Sequence, residues 1–357
     1  MKEIEDLRSV IDGVDAKLVK LLNQRVDTAL KIAKLKEAQG MPIYAPGREA
    51  GILDRVAELN GGPLPTSAIV SIYREIISST RGMEKVLVVT YLGPPGTFTQ
   101  QAAREHFGSS VEYTAAERIE SVFYAVAKKQ ADLGVVPIEN STGGVVTETL
   151  DMFMSYDLKI CDEIILEIHH NLLGRCKLEE IKKICSKPEA LDQCRVWLSE
   201  HLPHVDLIPV ASTTAAAKVA AAEGGTAAIA SLEAARLYEL DVLAENIEDQ
   251  HENVTRFVVL SAECGEPTGH DRTSVMFAVK NEVGALYEML LPFKKHGINL
   301  TKIESRPSKT KAWDYWFFVD LEGHYRDENV SETLKEVAGA ARYCQLLGSY
   351  PRADVRR

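Results

Sequence analysis

The sequence predicts a multidomain protein: an all-α helical unit, a two-lobed α/β domain, and an α+β domain of ferredoxin-like type. Three observations carry this. Apolar residues recur at helical spacing from Ile4 to Leu35. From residue 86 short β-branched runs alternate with helical stretches, and after residue 270 the pattern contracts to β-α-β-β-α-β. A chain of 357 residues also exceeds one ordinary core. Domains at 1–85, 86–265 and 270–357 follow, the last two joined by Gly265-Glu266-Pro267-Thr268-Gly269.

Hydrophobic content of 45% and charged content of 26% are those of a soluble globular protein. No apolar run approaches the ~20 residues that span a bilayer, and MKEIEDLRSV does not read as a signal peptide. The six cysteines form no CxxC pair and have no histidines at zinc spacing. Free thiols, a cytoplasmic protein, no metal and no membrane partner are expected. No dinucleotide fingerprint is present, so no cofactor is expected either. The net charge of −11 disfavours nucleic acid. Residues 1–85 nevertheless carry 13 Lys and Arg against 12 Asp and Glu, so the first unit can hold a cationic pocket.

In the first unit the apolar positions run Ile4, Leu7, Val10, Ile11, Val14, Leu18 and onward, until Gly40 and Pro42 end the helix. At ~1.5 Å per residue it would be roughly 50 Å long. Shorter helices are expected over Arg48–Leu59 and Ser67–Glu84, around the breaker Asn60-Gly61-Gly62-Pro63. One helix this long closes no compact monomer, so a homodimer or higher oligomer is expected. Arg25 and Lys36, near three whole turns apart, share a face. Arg8, 17 residues before Arg25, reaches the same pocket only from a second copy.

The series LRSVIDGVDAKLVKLLNQRV, KIAKLKEAQGMPIY, GREAGILDRV and REIISSTRGMEK resembles the all-helical chorismate mutases. The resemblance covers the whole segment and carries over Arg8, Arg25, Lys36, Arg48, Glu49, Thr80 and Glu84. It implies conversion of chorismate to prephenate, a pericyclic step needing no nucleophile or base. Positioning and charge stabilisation are then the available levers. Arg8, Arg25 and Arg48 would bind carboxylates, as guanidinium forks do. Lys36 and a protonated Glu84 would face the breaking ether oxygen. Many members carry Asp three residues before the Arg-Glu pair; here Ala45 stands there, with no carboxylate to make that secondary substrate contact.

The α/β domain should begin with a strand over Lys85–Leu92. Further strands are expected over Leu133–Pro137, Ile160–His169, Ile184–Ser186, Leu207–Val210, Ala227–Ala230 and Phe257–Leu260, in a largely parallel sheet. The long central excursion predicts two lobes, with the chain back in the first near Thr255. Three junctions place small hydroxylated residues at a helix start: GPPGTFT, IENSTGG and Ala211-Ser212-Thr213-Thr214. Each is an N-cap by itself. Together they point to a small polyanion in the crevice at the strand ends.

With Thr255-Arg256-Phe257 following them, these motifs make residues 88–260 resemble prephenate dehydratase. The resemblance implies that Thr255 donates a proton or strong hydrogen bond to the departing hydroxyl, with Glu139 or an ordered water completing the relay. Arg256 and the helix starts at Thr97, Ser212 and Thr213 would orient carboxylates. Asn140 and Ser141 would bind from the facing lobe, and Phe257 would keep the site dry. The last domain should have strands over Thr273–Lys280, Ile298–Arg306, Trp313–Leu321 and Tyr343–Ser349, with helices over Gly284–His296 and Glu328–Ala338. NEVGALYEML and GINLTKIESRP resemble the amino-acid-binding ACT domain, which implies allosteric phenylalanine at Gly284, Ala285, Leu286, Asn299, Glu304, Ser305 and Arg306. Other readings are an arogenate dehydratase, a non-catalytic solute-binding clamp, a mutase unit kept mainly for dimerisation, and a purely structural last domain.

Overall fold

The computed structural model describes residues 2–250, 252–279, 282–307 and 315–353. The expected strand ends at Lys280 and Trp313 lie outside them. The chain forms two compact units, residues 1–87 with 107–112, and residues 88–106 with 113–357. Among the described residues no helix is long and apolar enough to cross a membrane.

The first unit holds α1 (Lys2–Ala38), α2 (Pro46–Leu59) and α3 (Thr66–Glu84). Gly40, at φ 66°, takes the left-handed conformation that stops α1. Not one α1 residue is buried, and its stripe of Ile4, Leu7, Val10, Ile11, Val14, Leu18, Leu21 and Leu22 lies open. Leu22 and Val26 line a groove of about 590 Å³ against Ile72 and Ile76 of α3. Ala45 is the N-cap of α2 and makes no side-chain cap bond.

The first lobe of the second unit runs β1 (Val88–Leu92), α4 (Phe98–Phe107), β2 (Glu112–Ala116), α5 (Ile119–Ala127), β3 (Leu133–Asn140), β4 (Gly144–Val145), α6 (Thr147–Phe153) and β5 (Lys159–Glu167). The chain then builds the second lobe: β6 (Asn171–Gly174), β7 (Lys183–Ser186), α7 (Pro188–Gln193), α8 (Arg195–His201), β8 (Asp206–Pro209), α9 (Thr213–Ala222), β9 (Thr226–Ala230), α10 (Leu232–Tyr238) and β10 (Asp241–Ala244). It returns as β11 (Val254–Ser261). The sheets are ordered β2-β1-β3-β11-β5 and β10-β6-β9-β7-β8. Neither is largely parallel as expected. β1 with β3 and β7 with β8 and β9 are parallel, whereas β11 runs antiparallel to both β3 and β5. The reason is the double crossing between lobes, which brings β11 back into the first sheet against the direction of its neighbours.

The C-terminal domain comprises β12 (Asp271–Ala278), α11 (Ala285–Lys295), β13 (Leu300–Pro307), β14 (Tyr315–Glu322), α12 (Glu328–Ala340) and β15 (Tyr343–Pro351). Its sheet, β13-β14-β12-β15, is antiparallel throughout. Strand alternation gives it two apolar faces. Val275, Phe277, Val319 and Leu321 pack on Met289, Phe293, Val330 and Val337 of its own helices. Met276, Phe318, Leu347 and Tyr350 join Val136, Ile138, Ile160, Val258 and Leu260 in one core with the first lobe. Gly348 lies so close to the Ile160 carbonyl that no Cβ would fit.

Candidate active sites

In the helical unit, α1, α2 and α3 bring most of the expected residues together. Arg25 Nη1 donates to Thr80 Oγ1 at 3.3 Å, and Thr80 donates to the Ile76 carbonyl at 2.7 Å. Lys36 and Glu84 are half-buried. Burial raises the Glu84 carboxyl above its usual range; Lys36 and Arg81 oppose the rise, and Glu49 adds to it. Glu49 is gripped through both oxygens by Arg81 Nη1, at 2.6 and 2.8 Å. Arg81 is buried, lies over the Tyr44 and Phe107 rings, and donates to the Phe107 carbonyl at 2.8 Å. Arg81 is not legible as an organiser in the sequence, because one Arg in a helix's last turn has no pattern of its own. Arg48 is exposed, and Arg8, also exposed, pairs with Glu5 at 2.8 Å far along α1 from Arg25.

In the first lobe, β3 and β11 place Asn140 opposite Thr255. These two therefore share one sheet, which corrects the expectation that Asn140 and Ser141 act from the facing lobe. Asn140 Oδ1 accepts from the backbone of Thr142 (3.0 Å) and Gly143 (2.7 Å) and from Thr142 Oγ1 (2.7 Å). Backbone amides only donate, so the other end of the side chain must be its NH₂. That end donates to Thr255 Oγ1 and to Asn253 Oδ1, both at 2.8 Å. Asn253 Nδ2 donates to Gln193 Oε1 at 3.3 Å, and Gln193 Nε2 donates to Thr142 Oγ1 at 3.0 Å. His170 Nε2 meets the same Gln193 Oε1 at 2.8 Å, which makes it the protonated nitrogen. Burial lowers the His170 pKa, and its ring is edge-on to Phe98. Among the described residues no acceptor takes the Thr255 hydroxyl proton.

The three helix starts are not equivalent. At α4, Thr97 Oγ1 donates to the Leu92 carbonyl (3.2 Å) and receives the Gln100 amide (3.4 Å). At α9, Ser212 Oγ caps Ala215 (3.0 Å), Thr213 is half-buried, and Thr214 has a buried hydroxyl without a hydrogen-bond partner. A Cβ on Gly96 would stand 3.2 Å from Thr214, so the α4 and α9 starts adjoin across the lobes. The IENSTGG junction corrects the expectation: α6 has only seven residues, and the loop amides are spent on Asn140. Ser141 Oγ ties that loop to the Val254 amide (2.9 Å) and Glu252 carbonyl (3.0 Å).

Two further expectations are corrected. Arg256 and Glu139 do not face the Thr255 side, because neighbours along a strand point to opposite faces. Arg256 instead reaches Asp320 (2.7 Å) and Glu163 (3.0 Å), and Glu139 meets Lys302 (2.8 Å). Phe257 is 2% exposed and lies in the sheet interior. In the C-terminal domain Gly284, at φ 85°, opens α11, with Ala285 and Leu286 half-buried in its first turn. Asn299 and Ser305 are exposed, Glu304 is half-buried, and Arg306 binds Asp151 of α6 at 3.0 Å. Among the described residues no group of acidic, Cys or His side chains could hold a metal ion.

Residues 7–85 match the chorismate mutase type II family, residues 89–265 the prephenate dehydratase family and residues 273–339 the ACT domain. The bifunctional chorismate mutase/prephenate dehydratase of Aquifex aeolicus is 48% identical over 358 residues, covering 99% of each chain. That of Pseudomonas aeruginosa is 42% identical and covers 98% of each. A solved prephenate dehydratase from Arthrobacter aurescens in complex with L-Phe superposes with a TM-score of 0.71 at 36% identity, covering 76% of this chain and 91% of that one.

Proposed function

This chain belongs to the bifunctional chorismate mutase/prephenate dehydratase family, and on that premise we propose how its residues divide the work. It is an enzyme of two activities. The helical unit rearranges chorismate to prephenate, and the two-lobed domain decarboxylates and dehydrates prephenate to phenylpyruvate. In the first site Arg25 and Arg48, with Arg8 of a second copy, hold the carboxylates. Lys36 and a neutral Glu84 stabilise charge on the ether oxygen. The raised Glu84 pKa supports that protonated role, and the open apolar stripe of α1 supports the paired state.

The dehydratase reading rests on one observation, the direction of the hydrogen bond from Asn140 Nδ2 to Thr255 Oγ1. Thr255 accepts there, so its own proton is left for the substrate's ring hydroxyl. As the carboxylate C–C bond breaks, its electron pair enters the ring and carbon dioxide leaves. The C–O bond breaks with its pair on oxygen, and the hydroxide leaves hydrogen-bonded to Thr255 and takes its proton from solvent. Thr255 stabilises that oxygen as charge develops, while the α4 and α9 starts bind the carboxylates. Phenylalanine binds the ACT domain and lowers dehydratase turnover. Feeding chorismate to the purified chain tests the reading: prephenate then phenylpyruvate should form, the second step slowed by phenylalanine. A chain forming no phenylpyruvate from added prephenate would contradict it.

A further inference from the structure

On β3 and β11, Glu139 stands directly opposite Arg256, one residue before Asn140 and one after Thr255. On β13 and β14, Lys302 stands opposite Asp320. The two cross-strand pairs meet charge to charge between the sheets. Lys302 Nζ lies 2.8 Å from Glu139 Oε2, and Arg256 Nη2 lies 2.7 Å from Asp320 Oδ2. Arg256 Nη1 closes the square at 3.5 Å from Glu139. Asp320 is fixed from behind by Ser274 Oγ at 2.6 Å. Glu163 of β5 takes Arg256 at 3.0 Å and Arg272 of β12 at 2.6 Å. Three cations and three carboxylates thus close a balanced, largely buried cluster.

This square sits on the reverse side of the strands that carry the Thr255–Asn140 pair. The β3–β11 ladder shifts register between Arg256 and Phe257, immediately beside that pair. A bulge interrupts regular pairing, and a one-residue slip would send Thr255 to the other face. Something must hold the strands on the short side of the bulge, and the charges from the C-terminal domain are anchored there. Building on the dehydratase reading above, we propose that Lys302 and Asp320 of the ACT domain are positioning residues for the dehydratase reaction. They pin β3 and β11 in the register at which Asn140 donates to Thr255. Arg306, on the same strand as Lys302, extends the grip to Asp151 of α6 at 3.0 Å. The ACT domain is then part of the catalytic scaffold, and Glu139 serves as its foothold.

The test is steady-state kinetics of the full chain on prephenate, with mutase turnover of chorismate as the folding control. Lys302→Met and the isosteric Glu139→Gln should each lower dehydratase kcat about 10- to 100-fold, with KM within about threefold of wild type. The double variant should be no worse than either single one, and Lys302→Arg should recover most of the loss. Unchanged kcat in both single variants, or a loss confined to KM in Glu139→Gln, would overturn the proposal. A wild-type chain without dehydratase turnover would instead overturn the reading beneath it.

Discussion

Asn140 has its amide oriented by two backbone N–H groups, and that orientation decides which way the hydroxyl of Thr255 can donate. Asn140→Asp keeps the shape but turns the donor into an acceptor, so Thr255 would donate backwards into the carboxylate. Dehydratase kcat should fall about 10²- to 10³-fold with mutase turnover unchanged. In the helical unit, burial raises the pKa of Glu84. On the proposed role the protonated form is the active one, so mutase activity should decline as pH rises through that pKa, and Glu84→Gln should flatten the profile. A wild-type rate flat from acid to alkaline pH would contradict the role. At this scale the sequence was readable where motifs cluster: Asn140 of IENSTGG and Thr255 of NVTRF, taken from separate motifs, stand opposite each other on neighbouring strands. Gln193, Asn253 and His170 were not, since isolated polar residues acquire meaning only from what folds beside them. Arg256 and Glu139 were misread although strand alternation already argued against them.

Among the elements, the three helices of the first unit follow the apolar period to within a few residues. The strands Glu112–Ala116, Asn171–Gly174 and Asp241–Ala244 went unanticipated. Strand direction was equally illegible, because it depends on where the chain re-enters the sheet. Helix α1 buries no residue of its own. If the stripe pairs two copies as proposed, Leu18→Glu should give a monomer by light scattering and abolish mutase activity, while folded dehydratase remains. Helix α2 starts at Pro46 behind the N-cap residue Ala45, whose side chain makes no cap bond. Ala45→Asp should raise the stability of the helical unit by about 1 kcal/mol in denaturant titration.

Taken whole, the molecule acts on two isomeric ring dicarboxylates in turn: the product of the helical unit is the substrate of the two-lobed domain. Three domains could be anticipated from the change in period along the chain. The shared core between the ACT sheet and the first lobe could not, because both faces of that sheet are apolar and a sequence does not say which partner each meets. The tight approach of Gly348 to Ile160 was similarly silent. The account turns on the proton of Thr255, and the most direct measurement follows both products when chorismate is supplied to Thr255→Ala. Prephenate should accumulate at the wild-type rate while phenylpyruvate formation falls about 10²- to 10⁴-fold. Phenylpyruvate appearing at close to the wild-type rate would contradict it.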